Sequence, residues 1–143
     1  MPDDRIATVR PVDECEATGK VASIFAEIKQ TKNIDFVPAL WRTLATNPVQ
    51  LELVWISLKT LMHPEVSGHH SRLDPKTREI IALAVSATNG CPYCINSHTA
   101  ALRKQGMDEE TLGEVMAIVG LFNMTNALAD GYQIVPDVRP SLE

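Results

Sequence analysis

Residues 79–98 have the sequence EIIALAVSATNGCPYCINSH, and this stretch determines how the rest of the chain is interpreted. Its first half is an apolar run suited to a helix that packs against neighbours, and Asn89-Gly90 is a pair that typically ends such a helix. The proline after Cys91 suits the first turn of a second helix. The stretch therefore predicts two helices joined by a tight turn, with Cys91 and Cys94 where the second one starts.

The spacing of three side chains in this second helix points to thiol chemistry. At 100° per residue, Cys91, Cys94 and His98 fall within an arc of about 60°, so they share one face. Unpaired amides and the helix dipole at a helix start favour an anion, which makes a thiolate easier to form there. A Cys-x-x-Cys pair in this position can close a short disulfide. His98 lies one turn after Cys94, where it can accept the thiol proton.

Glu79 is the acidic residue at the head of the apolar run. At 1.5 Å per residue it lies about 15 Å along its helix from Cys91. If the turn folds the two helices into an antiparallel hairpin, Glu79 comes close to the far part of the second helix, in the region of His98. We expect it to orient the imidazole or to relay a proton there.

Elsewhere the pattern predicts an all-α fold of about six helices, because apolar residues recur at helical spacing and capping residues and prolines mark the starts. We predict one domain over residues 1–143. The predicted helices are Thr18–Gln30, Phe36–Ala45, a third capped by Asn47 and stopped by Pro64, a fourth from Asp74 to Gly90, a fifth from Cys91 to Gly106, and a sixth capped by Asp108 and apolar through Phe122. Residues 65–73 are predicted to be a polar loop.

The apolar positions of these helices define the predicted core. The first helix has one apolar face and the third has an apolar stripe, and both tryptophans are expected in the core or in a subunit interface. The sixth helix has more apolar positions than one face needs, which indicates burial against more than one neighbour, including another subunit. The residues of the face and the stripe are Val21, Ile24, Phe25 and Ile28, and Leu51, Trp55, Leu58 and Met62.

Composition excludes several classes of function. The chain has 143 residues, 13 basic and 18 acidic, with a net charge of -5 and 45% hydrophobic residues. A chain of this size can bury a core without disulfide staples. The sequence has no basic stripe, which argues against nucleic acid and anionic membrane surfaces as partners.

Residues 1–10, the longest apolar run and the cysteine count indicate the cellular compartment and the kind of cysteine chemistry. Residues 1–10 contain no apolar signal-peptide core, so we expect a cytosolic protein. The longest uninterrupted apolar run, Val115–Phe122, is much shorter than the roughly 20 residues that span a membrane. Three cysteines fit a structural disulfide framework poorly and fit redox or metal chemistry better.

The order Glu79, eleven residues, Cys91, two residues, Cys94, three residues, His98 resembles the signature of the AhpD-like alkyl hydroperoxidases, within the carboxymuconolactone decarboxylase superfamily. The flanking residues that add to the resemblance are Asp74-Pro75, Arg78, Tyr93 and Gly106.

This resemblance implies an all-helical protein that forms a homo-oligomer, commonly a trimer or a hexamer. It implies an oxidoreductase that reduces hydroperoxides without a cofactor. Cys94 would attack the peroxide and become a sulfenic acid, Cys91 would resolve it as a disulfide, and His98 and Glu79 would relay protons. An external dithiol would then reduce the disulfide.

Other interpretations of the same residues remain open at this point. The cysteine pair could be purely structural, or it could bind zinc with His98 and a fourth ligand from His63, His69, His70 or Cys15, although a second closely spaced ligand pair is absent. Two further interpretations do not fit. Haem attachment needs a histidine where Ile95 stands, and a thioredoxin-type fold needs a βαβ context that the helical sequence before Gly90 does not supply. A lyase resembling carboxymuconolactone decarboxylase would use His98 and Glu79 alone, and a non-catalytic redox sensor would need no turnover.

The remaining candidate residues have simpler interpretations. Cys15 is expected to be a bystander, because the acidic residues around it oppose a thiolate. His69 and His70 are expected to lie exposed in a loop, with a contribution to a neighbouring subunit's site as the alternative. Tyr93 is expected to be a packing residue.

Overall fold

The computed structural model describes residues 8–142, and all regular structure in this range is helical. The prediction of an all-α fold is therefore confirmed. A short 3-10 turn at Glu14–Glu16 precedes the α-helices, which are α1 (Gly19–Lys32), α2 (Ala39–Leu44), α3 (Pro48–Met62), α4 (Pro64–Ser67), α5 (Pro75–Asn89), α6 (Pro92–Lys104) and α7 (Glu109–Gly131).

The described chain forms two compact units that divide between Arg72 and Leu73. The first unit contains α1 to α4 and the second contains α5 to α7. The prediction of a single domain stays a prediction. The expectation of no signal peptide rests on residues 1–10. Residues 1–7 of this stretch lie outside the described residues.

Capping side chains fix the starts of the long helices where the sequence predicts them. Asn47 accepts a hydrogen bond from the backbone N–H three residues later at 3.3 Å, and Asp74 and Asp108 do the same at 2.9 and 2.8 Å. Such bonds satisfy amides that have no partner within the helix. The side-chain hydroxyl and the backbone N–H of Thr77 hold the pKa of Asp74 below its usual value.

Two predicted boundaries were wrong, and the end of the last helix was not predicted. The predicted polar loop begins with a four-residue helix, α4, because Pro64 stops α3 and also suits a new first turn. The second helix is shorter than predicted and starts at Ala39, after Pro38. The last helix continues nine residues beyond Phe122, because residues 123–131 contain no proline and the polar residues among them do not break a helix.

The core of the first unit is built from α1, α2 and α3. Trp41 and Trp55 pack edge to face, with ring centroids 5.2 Å apart and an interplanar angle of 85°. Glu27 accepts hydrogen bonds from the Trp55 indole N–H and from Lys59, and these bonds hold its pKa below 4.5. The predicted interior positions are confirmed for Ile24, Phe25, Ile28, Leu51 and Trp55, while Val21 and Leu58 are partly buried against them.

The second unit has its own, smaller core between α5, α6 and α7. Leu83 and Leu102 are almost completely buried, and Met107 and Leu112 lie beside them. Ile80, Ile95 and Val115 pack against this cluster. This core holds α5 against α6, the two helices that contain the candidate site.

Helix α7 is far more exposed than the sequence predicts. Most of its large apolar side chains face outward, and only 6% of its most apolar 18-residue window is buried within the chain. Within the single chain α7 is therefore covered less than the sequence predicts, and its burial against another subunit stays a prediction. Helix α7 has 23 residues, and its most apolar 18-residue window has a mean hydropathy of 1.4. It is the one helix in residues 8–142 with the length and composition of a membrane span. Helices that pack in the core of a soluble protein also meet this criterion.

Candidate active site

The site is built on the turn between α5 and α6. Gly90 has a φ of +69°, in the left-handed region that glycine adopts without steric cost, and it ends α5. The chain then reverses, and the N–H of Cys91 donates to the carbonyl of Ser86 at 3.0 Å. This bond satisfies a carbonyl at the end of α5 and fixes the backbone of Cys91 at the start of α6.

Cys91 is the residue immediately before the first turn of α6, which begins at Pro92. Its sulfur accepts a hydrogen bond from the N–H of Cys94 at 3.3 Å, so the Cys91 sulfur caps the helix. The sequence placed Cys91 inside the first turn; the structure places it one position earlier because its backbone is extended, with φ -101° and ψ 92°.

Cys91 and Cys94 are joined as a disulfide, with their Cα atoms 5.4 Å apart. This separation lies within the range that protein disulfides adopt. Both residues are half-buried, so the sulfurs lie at the surface of the second unit rather than in its core. The pair is therefore accessible to a small oxidant or reductant.

The α5–α6 hairpin brings Glu79 to His98. The Nδ1 atom of His98 lies 2.7 Å from Oε2 of Glu79. Their side chains are 24% and 16% exposed. With the carboxylate ionised, Nδ1 carries the shared proton, which leaves Nε2 as the nitrogen that can exchange protons with other groups.

The imidazole and the second cysteine share one face of α6. Cys94 and His98 are four residues apart in a continuous helix, a spacing that puts Cβ atoms about 5–6 Å apart. All four residues selected from the sequence thus belong to one hairpin, at its turn and along its helices. Their catalytic roles remain proposals.

Sequence reasoning missed the hydrogen bond that ties α7 to this hairpin. The amide of Asn123 donates to the Thr88 hydroxyl at 3.0 Å and to the Val119 carbonyl at 2.8 Å. Thr88 is three residues before Cys91. The sequence signal for this bond was that Asn123, a polar residue, interrupts an apolar run. Such a residue marks a position with a specific hydrogen-bond partner as well as the end of the run.

The other cysteine and histidine candidates selected from the sequence lie in the first unit. Cys15 is a free, exposed thiol, and His69 and His70 are exposed. Within residues 8–142, no three His, Cys, Asp or Glu side chains are grouped so that they could hold a metal ion. Tyr93 is 44% exposed, and its role as a packing residue stays a prediction.

Comparison with known proteins identifies the family to which the chain belongs. Residues 58–135, more than half of the chain, match the carboxymuconolactone decarboxylase family. The chain belongs to this family. The matched region begins in α3 and includes the whole α5–α6 hairpin and α7.

Individual relatives narrow the likeness to AhpD proteins. The crystal structure of the alkylhydroperoxidase AhpD core from Rhodospirillum rubrum is 44% identical, covers 93% of this chain and 96% of its own, and superposes with a TM-score of 0.84. The alkyl hydroperoxide reductase AhpD of Solibacter usitatus is 32% identical over 63% of this chain and 48% of its own length. That of Maricaulis maris is 46% identical over 40% and 31%. The chain spans about a third to a half of the length of these curated relatives.

The left-handed turn gives a test of how the hairpin is held. Replacing Gly90 with alanine forces a Cβ into a positive φ and should lower the free energy of unfolding by roughly 1–2 kcal/mol. Gly113→Ala is the matched control, since a Cβ would meet nothing within 4 Å at either position and Gly113 lies inside α7. It should stabilise the protein by roughly 0.5–1 kcal/mol. Chemical denaturation measures both, and equal effects would contradict the assigned turn.

Proposed function

We propose that this protein is a cofactor-free thiol peroxidase that reduces organic hydroperoxides with the Cys91/Cys94 pair. The observation that carries the proposal is the coexistence, on one hairpin, of a half-buried disulfide and a histidine bonded to a carboxylate at 2.7 Å. A dithiol that closes and opens reversibly stores two electrons, which is the number that a peroxide bond consumes.

In the first step, the thiol of Cys94 loses its proton to Nε2 of His98. The thiolate attacks the terminal oxygen of the hydroperoxide, the O–O bond breaks, and Cys94 becomes a sulfenic acid. The departing alkoxide takes the proton from the imidazolium and leaves as an alcohol. Glu79 is hydrogen-bonded to Nδ1, so it holds the ring in position and stabilises its charged form.

In the second step, the sulfur of Cys91 attacks that of Cys94 and displaces water, and the pair becomes the disulfide. An external dithiol then reduces it and is itself oxidised. The thiols must be regenerated after each turnover, which suits a reducing compartment such as the cytosol.

The AhpD relatives support this proposal at the level of the family, since several are named alkyl hydroperoxide reductases. The family as a whole is named for a decarboxylase, which favours one alternative: a lyase in which His98 and Glu79 handle protons and the thiols are incidental. That reaction would not depend on either sulfur. Replacing both cysteines with serine should therefore spare a lyase and abolish a peroxidase.

Single cysteine variants test the proposed division of roles. Cys94→Ser should abolish the reduction of cumene hydroperoxide in the presence of dithiothreitol, because the attacking sulfur is gone. In the absence of dithiothreitol, Cys91→Ser should reduce one equivalent rapidly and accumulate a sulfenic acid on Cys94, detectable by intact mass after dimedone labelling. Cys15→Ser is the control and should keep full turnover, since Cys15 is a free thiol outside the disulfide. Full turnover by Cys94→Ser would refute the mechanism.

We also propose that the protein is a homo-oligomer and that a second copy covers α7. No charged residue occurs between Glu114 and Asp130. Exposed apolar patches of this kind mark interaction surfaces. The exposed apolar stripe of α7 consists of Ile118, Leu121, Phe122 and Leu128, which are between 48% and 55% exposed.

A charge in the middle of this stripe tests the oligomer. Leu121→Glu should convert a trimer or hexamer to monomers, because an unpaired carboxylate would be buried between subunits. Leu142→Glu is the matched control, since Leu142 is 100% exposed outside the stripe. Light scattering after size exclusion measures the masses. A monomeric parent protein that binds lipid vesicles through α7 would contradict the proposal.

A further inference from the structure

The two sulfurs of the disulfide have different surroundings. The sulfur of Cys91 accepts the Cys94 backbone N–H at 3.3 Å. Pro92, the first residue of the helix, has no N–H to contribute, so this amide is one of the few donors available at the start of α6. The amide belongs to the backbone of the first turn, so its position does not depend on a rotatable side chain.

Helix α7 of the same chain shows how an amide at the start of a helix affects a negative charge on the capping side chain. In α7, the side chain of Asp108 accepts the N–H of Thr111, three residues later, as Cys91 accepts that of Cys94. That bond is the main reason why the pKa of Asp108 lies below its usual value. The hydrogen-bond pattern at Cys91 is the same, with sulfur in place of oxygen. The amide should therefore stabilise a negative charge on the Cys91 sulfur.

The surroundings of Cys94 differ in kind. It lies inside the first turn of α6, one turn before His98, whose Nδ1 is occupied by Glu79. Residues 80–102 contain no Asp, Glu, Lys or Arg. The titratable side chains within this stretch are His98, Tyr93 and the two cysteines, and His98 is the one that lies one turn from Cys94 on the same face of α6.

We propose that the external dithiol opens the disulfide by attacking the sulfur of Cys94, with Cys91 leaving as the thiolate. This inference rests on the proposed function and assigns the direction of its recycling step. In thiol–disulfide exchange, the sulfur that better accommodates negative charge leaves faster. The structure provides a charge-stabilising amide at Cys91 and a base beside Cys94.

The step balances in protons and electrons. Nε2 of His98 takes the proton of the first reductant thiol, whose sulfur bonds to Cys94 as the Cys91–Cys94 bond breaks. The Cys91 thiolate then takes the proton of the second reductant thiol, which attacks the first reductant sulfur. Cys94 leaves and receives the proton held on His98. The reductant ends as a disulfide, and both cysteines end as thiols.

The position of a trapped adduct tests the direction. Oxidised Cys15→Ser protein is mixed briefly with 2-mercaptoethanol, quenched in acid and digested with pepsin in acid, which keeps thiol exchange stopped. Fragment ions that separate Cys91 from Cys94 then locate the adduct by mass spectrometry. We expect at least about tenfold more adduct on Cys94 than on Cys91. Equal amounts, or an excess on Cys91, would overturn the proposal.

A second measurement separates the base from a structural role of His98. His98→Gln should slow reduction by dithiothreitol at neutral pH at least about tenfold. The sulfite dianion should open the disulfide of His98→Gln at the same rate as that of the parent protein, because this nucleophile has no proton to lose. His69→Gln, at an exposed loop position, is the control and should change neither rate. Equal slowing with both nucleophiles would indicate a structural role and contradict the assigned base.

These experiments can fail independently of the proposed function. The disulfide can be formed with diamide, without a peroxide, so its direction of opening is measurable even if the protein reduces no hydroperoxide. Peroxide turnover combined with adducts on Cys91 would overturn the direction alone. Adducts on Cys94 without peroxide turnover would overturn the proposed function alone.

Discussion

The left-handed turn at Gly90 is the constraint on which the site depends. It ends α5, reverses the chain, and lets the N–H of Cys91 bond to Ser86. Because the turn fixes where α6 begins, it also fixes which sulfur caps the helix and which one lies inside it. The same reversal lays α6 against α5 and brings Glu79 within hydrogen-bond distance of His98. Fold and chemistry thus share one short segment of backbone.

Local signals in the sequence were sufficient for the fold class and for the hairpin that brings Glu79 to His98. Asn47, Asp74 and Asp108 predict helix starts because their side chains accept amide hydrogen bonds within the first turn, and all three do so. The proximity of Glu79 to His98 was expected from hairpin geometry alone. What the sequence could not supply was the one-residue offset that makes Cys91 a cap, since element boundaries depend on backbone dihedrals that single residues bias only weakly.

Helix α7 shows what the sequence left open. Its apolar residues predict burial, but hydrophobicity does not say whether the covering surface belongs to the same chain, to a second copy or to a lipid bilayer. The polar interruption at Asn123 is informative for a different reason, because that amide bonds to Thr88 beside the hairpin turn. One face of α7 is thus anchored to α5 beside the site, and its other face is exposed. Assembly of subunits through the exposed face would therefore be linked to the position of α5.

The central claim is that Cys91 and Cys94 act together as a two-electron couple toward peroxide. The most direct measurement counts free thiols and intact mass in reduced Cys15→Ser protein before and after one equivalent of an alkyl hydroperoxide, with no metal added. The account predicts the loss of both thiols and of two hydrogens, with no oxygen retained. Unchanged thiols, or a stable gain of oxygen on one cysteine, would contradict it.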